Sequence, residues 1–102
     1  DIGKHFPDTD PKYKGIDSKI LLKEVMVFIR AKGYELVNID STICLQTPKI
    51  GSYIPEMQKA LANSMGVDID LVSIKATTTE TLGFVGREEG VSAYATVLIT
   101  KI

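Results

Sequence analysis

The sequence predicts a single-domain α+β fold: a mixed β-sheet covered by helices on one face. Three observations carry that reading. Two apolar stretches repeat at helical spacing, three others alternate with a period of two, and the two kinds of stretch take turns along a chain of 102 residues. With 44% hydrophobic residues the chain is neither disordered nor fibrous. At this length roughly 60 to 70% of the unfolded chain's surface is hidden on folding, so a core forms without disulfide or metal staples.

Each element follows in order. The opening stretch, Asp1 to Gly15, holds Gly3, Pro7, Asp8, Asp10 and Pro11, which predict an irregular loop of the kind that often carries function. From Ser18 to Lys32, Leu21, Leu22, Val25, Met26, Phe28 and Ile29 recur at helical spacing. Asp17 or Ser18 serves as N-cap, Arg30 and Lys32 fill the last turn, and Gly33 is the stop. Tyr34 to Gln46 reads as a strand with Val37, Ile39, Ile43 and Leu45 on its core face and Asn38, Asp40 and Thr42 on the other. After the break at Thr47, Pro48, Gly51 and Ser52, the apolar Ile54, Met57, Leu61 and Met65 predict a second helix closed by Gly66. A short acidic connection from Asp68 to Asp70 leads to a second strand, Val72 to Thr79. Beyond a glycine-rich loop a third strand, Val91 to Lys101, alternates Ala93, Ala95, Val97 and Ile99.

Composition excludes several function classes. Twelve basic residues against 13 acidic ones leave a net charge of −1, so no basic footprint for nucleic acid exists and any bound anion must be met locally. No apolar stretch approaches the roughly 18 to 20 residues that span a bilayer, which predicts no membrane partner. The lone Cys44, inside an apolar run, forms no intramolecular disulfide and is expected to be a buried, inert thiol. The chain opens on Asp1 rather than Met, as expected of a piece of something longer.

Three places carry candidate chemistry. Lys75-Ala76-Thr77-Thr78-Thr79-Glu80 puts three hydroxyls and a carboxylate at a strand end, with Gly83, Gly86 and Gly90 around Arg87 beyond it. Hydroxyls and freed amides donate to phosphate oxygens, Arg87 offers a planar fork, and Glu80 suits a divalent ion that bridges phosphates. A threonine-rich strand end beside a plain surface loop explains the same residues, and composition leaves both open. The glycine spacing is not that of a Walker loop or a dinucleotide fingerprint, and it opens no evident helix. The corner Leu45-Gln46-Thr47-Pro48-Lys49-Ile50-Gly51 suits a nucleobase or phosphate, or is an ordinary turn. Near the start stand Asp1, Asp8 and Asp10 with His5. One histidine is far from a zinc site, which needs three or more ligands, so His5 is read as a surface or packing residue.

Taken together, Asp1-Ile2-Gly3-Lys4-His5-Phe6-Pro7-Asp8-Thr9-Asp10-Pro11 and Lys75-Ala76-Thr77-Thr78-Thr79-Glu80-Thr81-Leu82-Gly83-Phe84-Val85-Gly86-Arg87-Glu88-Glu89-Gly90 resemble the 2-C-methyl-D-erythritol 2,4-cyclodiphosphate synthase family of non-mevalonate isoprenoid biosynthesis. Asn38-Ile39-Asp40-Ser41-Thr42 and Gln46-Thr47-Pro48-Lys49 resemble its central strand and nucleotide corner in the same order, so the resemblance spans residues 1–102. It implies a lyase that converts 4-diphosphocytidyl-2-C-methyl-D-erythritol 2-phosphate to the 2,4-cyclodiphosphate and CMP, in a homotrimer with active sites between subunits. A non-catalytic nucleotide-binding or oligomerisation module of the same fold, and a structural domain that binds nothing, are the alternatives.

Residue by residue, the resemblance implies that Asp1, Ile2 and Gly3 meet the erythritol phosphate and that Phe6, Pro7, Asp8, Thr9 and Asp10 close over it. Leu45, Gln46, Thr47, Pro48, Lys49, Ile50 and Gly51 would hold cytosine and ribose, with Ala76, Thr77 and Thr79 in the same pocket. Thr78 would stabilise the transition state, Glu80 would ligate magnesium or manganese, and Phe84 and Arg87 match substrate-associated positions, with Arg87 towards a central cavity. The family's zinc ligands, an Asp-x-His pair and a further histidine, lie upstream of Asp-Ile-Gly and none is in this chain, so residues 1–102 are expected to be an N-terminally incomplete domain. A smaller departure is Gly51-Ser52-Tyr53, where Pro and His are frequent in the family. The compartment implied is bacterial cytoplasm or a plastid or apicoplast.

Overall fold

In the computed structural model, which describes residues 1–102, the opening stretch is partly helical rather than an irregular loop. Asp1 Oδ1 accepts the Gly3 N–H at 3.0 Å and caps a single turn, α1, Ile2–His5. Asp10 accepts the Lys12 N–H at 3.1 Å and opens a 3-10 turn, Pro11–Tyr13, whose first residue has no N–H to satisfy. The breakers of the sequence act here as caps. Phe6 is buried, edge-on to Tyr13 at 5.6 Å and stacked on Phe28 at 6.1 Å, which fastens this segment to the next helix.

That helix, α2, spans Ser18–Ala31; Asp17 caps it through the Lys19 N–H at 2.9 Å, and Gly33, at φ 84°, turns the chain into β1, Tyr34–Cys44. A register shift between Leu36 and Asn38 alters the expected core face of β1. The extra residue of the bulge lets Leu36 face the core with Ile39 and Ile43, and Leu36 is buried where Val37 was expected. Cys44, expected to be buried, is half-buried at the strand end. A 3-10 turn, Gly51–Tyr53, then leads into α3, Ile54–Met65, with Pro55 in its first turn and Gly66 in the left-handed conformation at its end. The acidic connection is a 3-10 turn, Ile69–Leu71, capped by Asp68.

The strand β2, Val72–Thr77, stops two residues earlier than expected because the threonines that follow bind local backbone groups instead of a neighbouring strand. The glycine loop does contain a helical turn, α4, Gly83–Gly86, and leads to β3, Ser92–Lys101. The sheet order is β2-β1-β3, with β1 parallel to β2 and antiparallel to β3, so the sheet is mixed as expected. Helices α2 and α3 cover one face, α2 against β1 and α3 against β2. Met26, Leu36, Ala62, Met65, Val72 and Ile74 form the core between them. The alternation along β3 does not produce a covered face: every residue from Ala93 to Lys101 is exposed, including Tyr94, Val97, Leu98 and Ile99.

One ion pair joins three elements. Arg30 on α2 donates from Nε and Nη2 to Glu35 on β1 and from Nη2 to the Met65 carbonyl at 2.8 Å, which satisfies an end carbonyl of α3. The Arg30 guanidinium, and then the Leu36 N–H, hold the Glu35 carboxyl below its ordinary value of 4.5. Because the folded form binds this proton more weakly than the unfolded chain, the contribution is complete above the ordinary value and disappears as pH falls through the lower folded one. The melting temperature should therefore drop as pH is lowered below about 4.5, and Arg30→Met should flatten that drop. Equal pH slopes for the two proteins would show that the pair does not report on folding.

Candidate active site

Two parallel strands that end side by side leave a crevice beyond their carboxyl ends, where open sheets commonly take ligands. Cys44 of β1 is opposite Thr77 of β2 at that edge, and the Leu45 N–H donates to the Thr77 carbonyl at 2.9 Å, so both strands finish together. After β1 the chain turns through the corner, with a cis peptide between Thr47 and Pro48, and enters α3. The corner and the end of β2 enclose a cavity of about 200 Å³ lined by Leu45, Pro48, Lys49, Ile50, Gly51, Ile54, Ala76, Thr77 and Thr78.

All of these but Ile54 are residues that the sequence singled out. Ile54 carries the helical apolar pattern and so reads as core. It does pack against the core, and the turn at Gly51–Tyr53 also brings it to the cavity wall. Gln46 and Thr47 line a different cleft, of about 290 Å³, with Glu88, Glu89, Gly90 and Val91.

The threonine run is ordered by its own hydroxyls. Thr77 Oγ1 donates to the Thr78 carbonyl at 2.9 Å, and Thr79 Oγ1 donates to the Leu82 carbonyl at 2.7 Å. Thr78, half-buried at the cavity wall, accepts the Glu80 N–H on its Oγ1 at 3.3 Å, which leaves the hydroxyl hydrogen of Thr78 to be donated elsewhere. Glu80 and Thr81 both have positive φ, 55° and 64°, and Glu80 is exposed with no cation paired to it. Of the nearby lysines, Lys75 is engaged with Asp40, whose carboxyl it holds below the usual range, chiefly through their hydrogen bond, whereas Lys49 makes no ion pair.

The opening motif is elsewhere in the chain. Asp1, Ile2, His5 and Phe6 line a groove of about 370 Å³ with Val25, Phe28, Ile29 and Lys32, and this groove shares no residue with the corner cavity. Gly3 is exposed on α1, Pro7 and Asp10 are half-buried, and Asp8 and Thr9 are exposed. His5 packs against Phe28, with ring centres 4.9 Å apart and planes tilted by 36°. Phe84 lies exposed on α4, and Arg87 is paired with Glu89. One chain thus joins the corner to Ala76–Thr78 and keeps residues 1–10, Phe84 and Arg87 apart from it.

The donor set bears on metals. No group of three or more His, Cys, Asp or Glu side chains converges, so these residues do not fit a zinc ion. A single carboxylate such as Glu80 does fit magnesium, which typically takes one or two carboxylates and completes its shell from phosphates and water. No helix is long and apolar enough to cross a membrane.

Known proteins bear on both fold and cavity. The chain is 63% identical over 102 residues to a 2-C-methyl-D-erythritol 2,4-cyclodiphosphate synthase of Bacteroides fragilis, and 60% identical over 99 residues to one of Porphyromonas gingivalis. It spans 64% and 61% of the lengths of those two relatives, which cover 100% and 97% of it. Among solved structures, the bifunctional IspDF from Campylobacter jejuni superposes with a TM-score of 0.95 at 40% identity, covering 100% of this chain and 28% of its own. A Plasmodium falciparum IspF in complex with CDP gives 0.84 at 28% identity, covering 99% and 60%. The YgbB family profile matches residues 1–100, through both halves of the corner cavity and the opening motif alike, and the chain belongs to that family.

Proposed function

We propose that this chain carries the cytidine-nucleotide site of a cyclodiphosphate synthase, a lyase of isoprenoid biosynthesis. The reaction would convert 4-diphosphocytidyl-2-C-methyl-D-erythritol 2-phosphate to the 2,4-cyclodiphosphate and CMP. The observation that supports this most is the corner cavity, where a turn rich in free backbone groups meets Thr77 at the end of β2 and Thr78 just beyond it. The names of the relatives and the CDP complex of the Plasmodium falciparum protein support it from outside.

The chemistry asks little covalent work of the protein. An oxygen of the 2-phosphate attacks the β-phosphorus, the bond from that phosphorus to the bridging oxygen breaks, and CMP departs with the electron pair. Folding the substrate for in-line attack and neutralising crowded phosphate oxygens are the main requirements. In this reading Leu45 and Pro48 to Gly51 seat cytosine and ribose through backbone groups, and Lys49 places a positive charge beside the phosphates. Ala76 and Thr77 form the wall, and Thr78 donates its hydroxyl hydrogen to the diphosphate as charge develops. Glu80 would hold magnesium or manganese, which when bound neutralises charge on the phosphates. Asp1, Ile2 and Gly3, with Phe6 to Asp10, would meet the erythritol end from a neighbouring copy, because the opening groove is separate from the corner cavity within one chain. The homotrimer is supported likewise by the bare apolar length of β3, which a second copy would cover. Zinc would be held by residues outside this chain, residues 1–102 being part of a longer domain, and the bacterial relatives favour bacterial cytoplasm over a plastid.

Release of CMP from the diphosphocytidyl substrate by the intact protein is the direct test. Binding of CDP with no CMP release, in the presence of zinc and magnesium, would favour a non-catalytic nucleotide-binding module instead. Glu80→Gln should raise the magnesium concentration for half-maximal release by at least the roughly tenfold that even outer-shell partners of a metal contribute, because an amide is a poorer ligand for a hard cation. An unchanged magnesium titration would remove Glu80 from the metal site.

A further inference from the structure

Two consecutive residues, Glu80 and Thr81, stand in the left-handed region, and neither is a glycine. For the β-branched Thr81 this conformation is a true outlier, and it persists only where the surroundings over-determine it. Some of the restraint is local. Thr78 Oγ1 takes the Glu80 N–H, Thr81 Oγ1 donates to the Glu80 carbonyl at 2.6 Å, and the Leu82 N–H donates to the Thr79 carbonyl at 3.0 Å. More comes from α4, which passes so close that a Cβ on Gly86 would lie 2.1 Å from the Thr81 carbonyl carbon. The remaining tie reaches the turn from another part of the chain: the Thr81 N–H donates to Gln46 Oε1 at 3.2 Å, across 35 residues of sequence.

We infer that Gln46 is a positioning residue, whose side-chain oxygen holds the Glu80–Thr81 turn in place and so fixes Glu80 beside Thr78. This deepens the proposed function and rests on it for the role of Glu80. It also reassigns Gln46, which the resemblance placed among the groups that hold the nucleotide. Its side chain is absent from the corner cavity and instead links the end of β1 to the turn after β2. Although this bond is exposed, the Gln46 oxygen takes the place on that N–H that water would otherwise fill, and it ties the left-handed pair to the end of β1.

The test compares Gln46→Met, which keeps the length and removes the acceptor, with Gln46→Glu, which keeps an acceptor oxygen. In the intact protein without ligand, hydrogen exchange at the Thr81 amide, read by NMR, should quicken roughly threefold to tenfold in Gln46→Met, the range of one net hydrogen bond. It should return toward the parent rate in Gln46→Glu. Titration of the CDP complex with Mn²⁺, followed by electron paramagnetic resonance, should show Gln46→Met losing more affinity for the metal than for CDP, with the loss reversed in Gln46→Glu. An unaltered Thr81 exchange rate in Gln46→Met would overturn the inference. So would an equal loss of CDP and metal affinity, which would mark Gln46 as a nucleotide contact. Should the parent protein bind no CDP, the functional reading fails by itself, and the Thr81 exchange rates still decide the role of Gln46.

Discussion

Met65→Ala should lower the unfolding free energy by about 2–5 kcal/mol, the usual loss when a large core side chain is cut to alanine. Met65 is 1% exposed and sits where α2, β1, α3 and β2 converge, beside Met26, Leu36, Ala62, Val72 and Ile74. Only nine of the 102 residues are buried, so the core is thin and few neighbours can move in to fill the void. Against a total stability of about 5–15 kcal/mol, a loss of that size removes a large share. Urea unfolding at one fixed protein concentration would measure it, since assembly of copies would otherwise shift the midpoint. Met65→Leu, which keeps the volume, should cost less than about 1.5 kcal/mol. If Met65→Ala cost no more than Met65→Leu, the site would have to collapse freely, contrary to a core held between two helices and two strands.

Thr78→Ala should slow turnover by about a hundredfold, the lower end of what one lost donor to a transition-state oxygen costs, and weaken CDP binding far less. The argument rests on how the hydroxyl is used. Its oxygen already accepts the Glu80 N–H, so the hydroxyl is oriented before any ligand arrives and its hydrogen is left to donate. Charge on the diphosphate oxygens grows between ground state and transition state, so a fixed donor there acts mainly on kcat. Thr78→Ser retains the hydroxyl and should recover most of the rate. Parallel losses in kcat and CDP affinity for Thr78→Ala would assign the hydroxyl to uniform binding.

Where local chemistry decided the outcome, the sequence was legible. Asp17 and Gly33 bracket α2 as expected, Gly66 closes α3, and the corner residues meet Thr77 and Thr78 because β1 and β2, parallel and paired, end together. What escaped depends on contacts between distant segments. The bulge that buries Leu36 in place of Val37 is set by pairing with β3, and a period-two pattern carries no mark of it. The turn at Glu80 and Thr81 defies local preference and is held by Gln46 and Gly86, one from the end of β1 and one from α4. Asp10 reads as a breaker yet caps the 3-10 turn Pro11–Tyr13, because a carboxylate that ends one element is chemically the same as one that caps the next.

The position of β1 between a parallel and an antiparallel partner also orders events during synthesis. Every residue of the core cluster lies between Met26 and Ile74, so the two long helices, β1 and β2 can come together while β3 has yet to emerge from the ribosome. During that interval the side of β1 that will receive Ser92–Lys101 shows unpaired N–H and C=O groups, a template on which another nascent chain can add a strand. The time a ribosome takes to pass from Thr77 to Lys101 is then the time for which that edge waits.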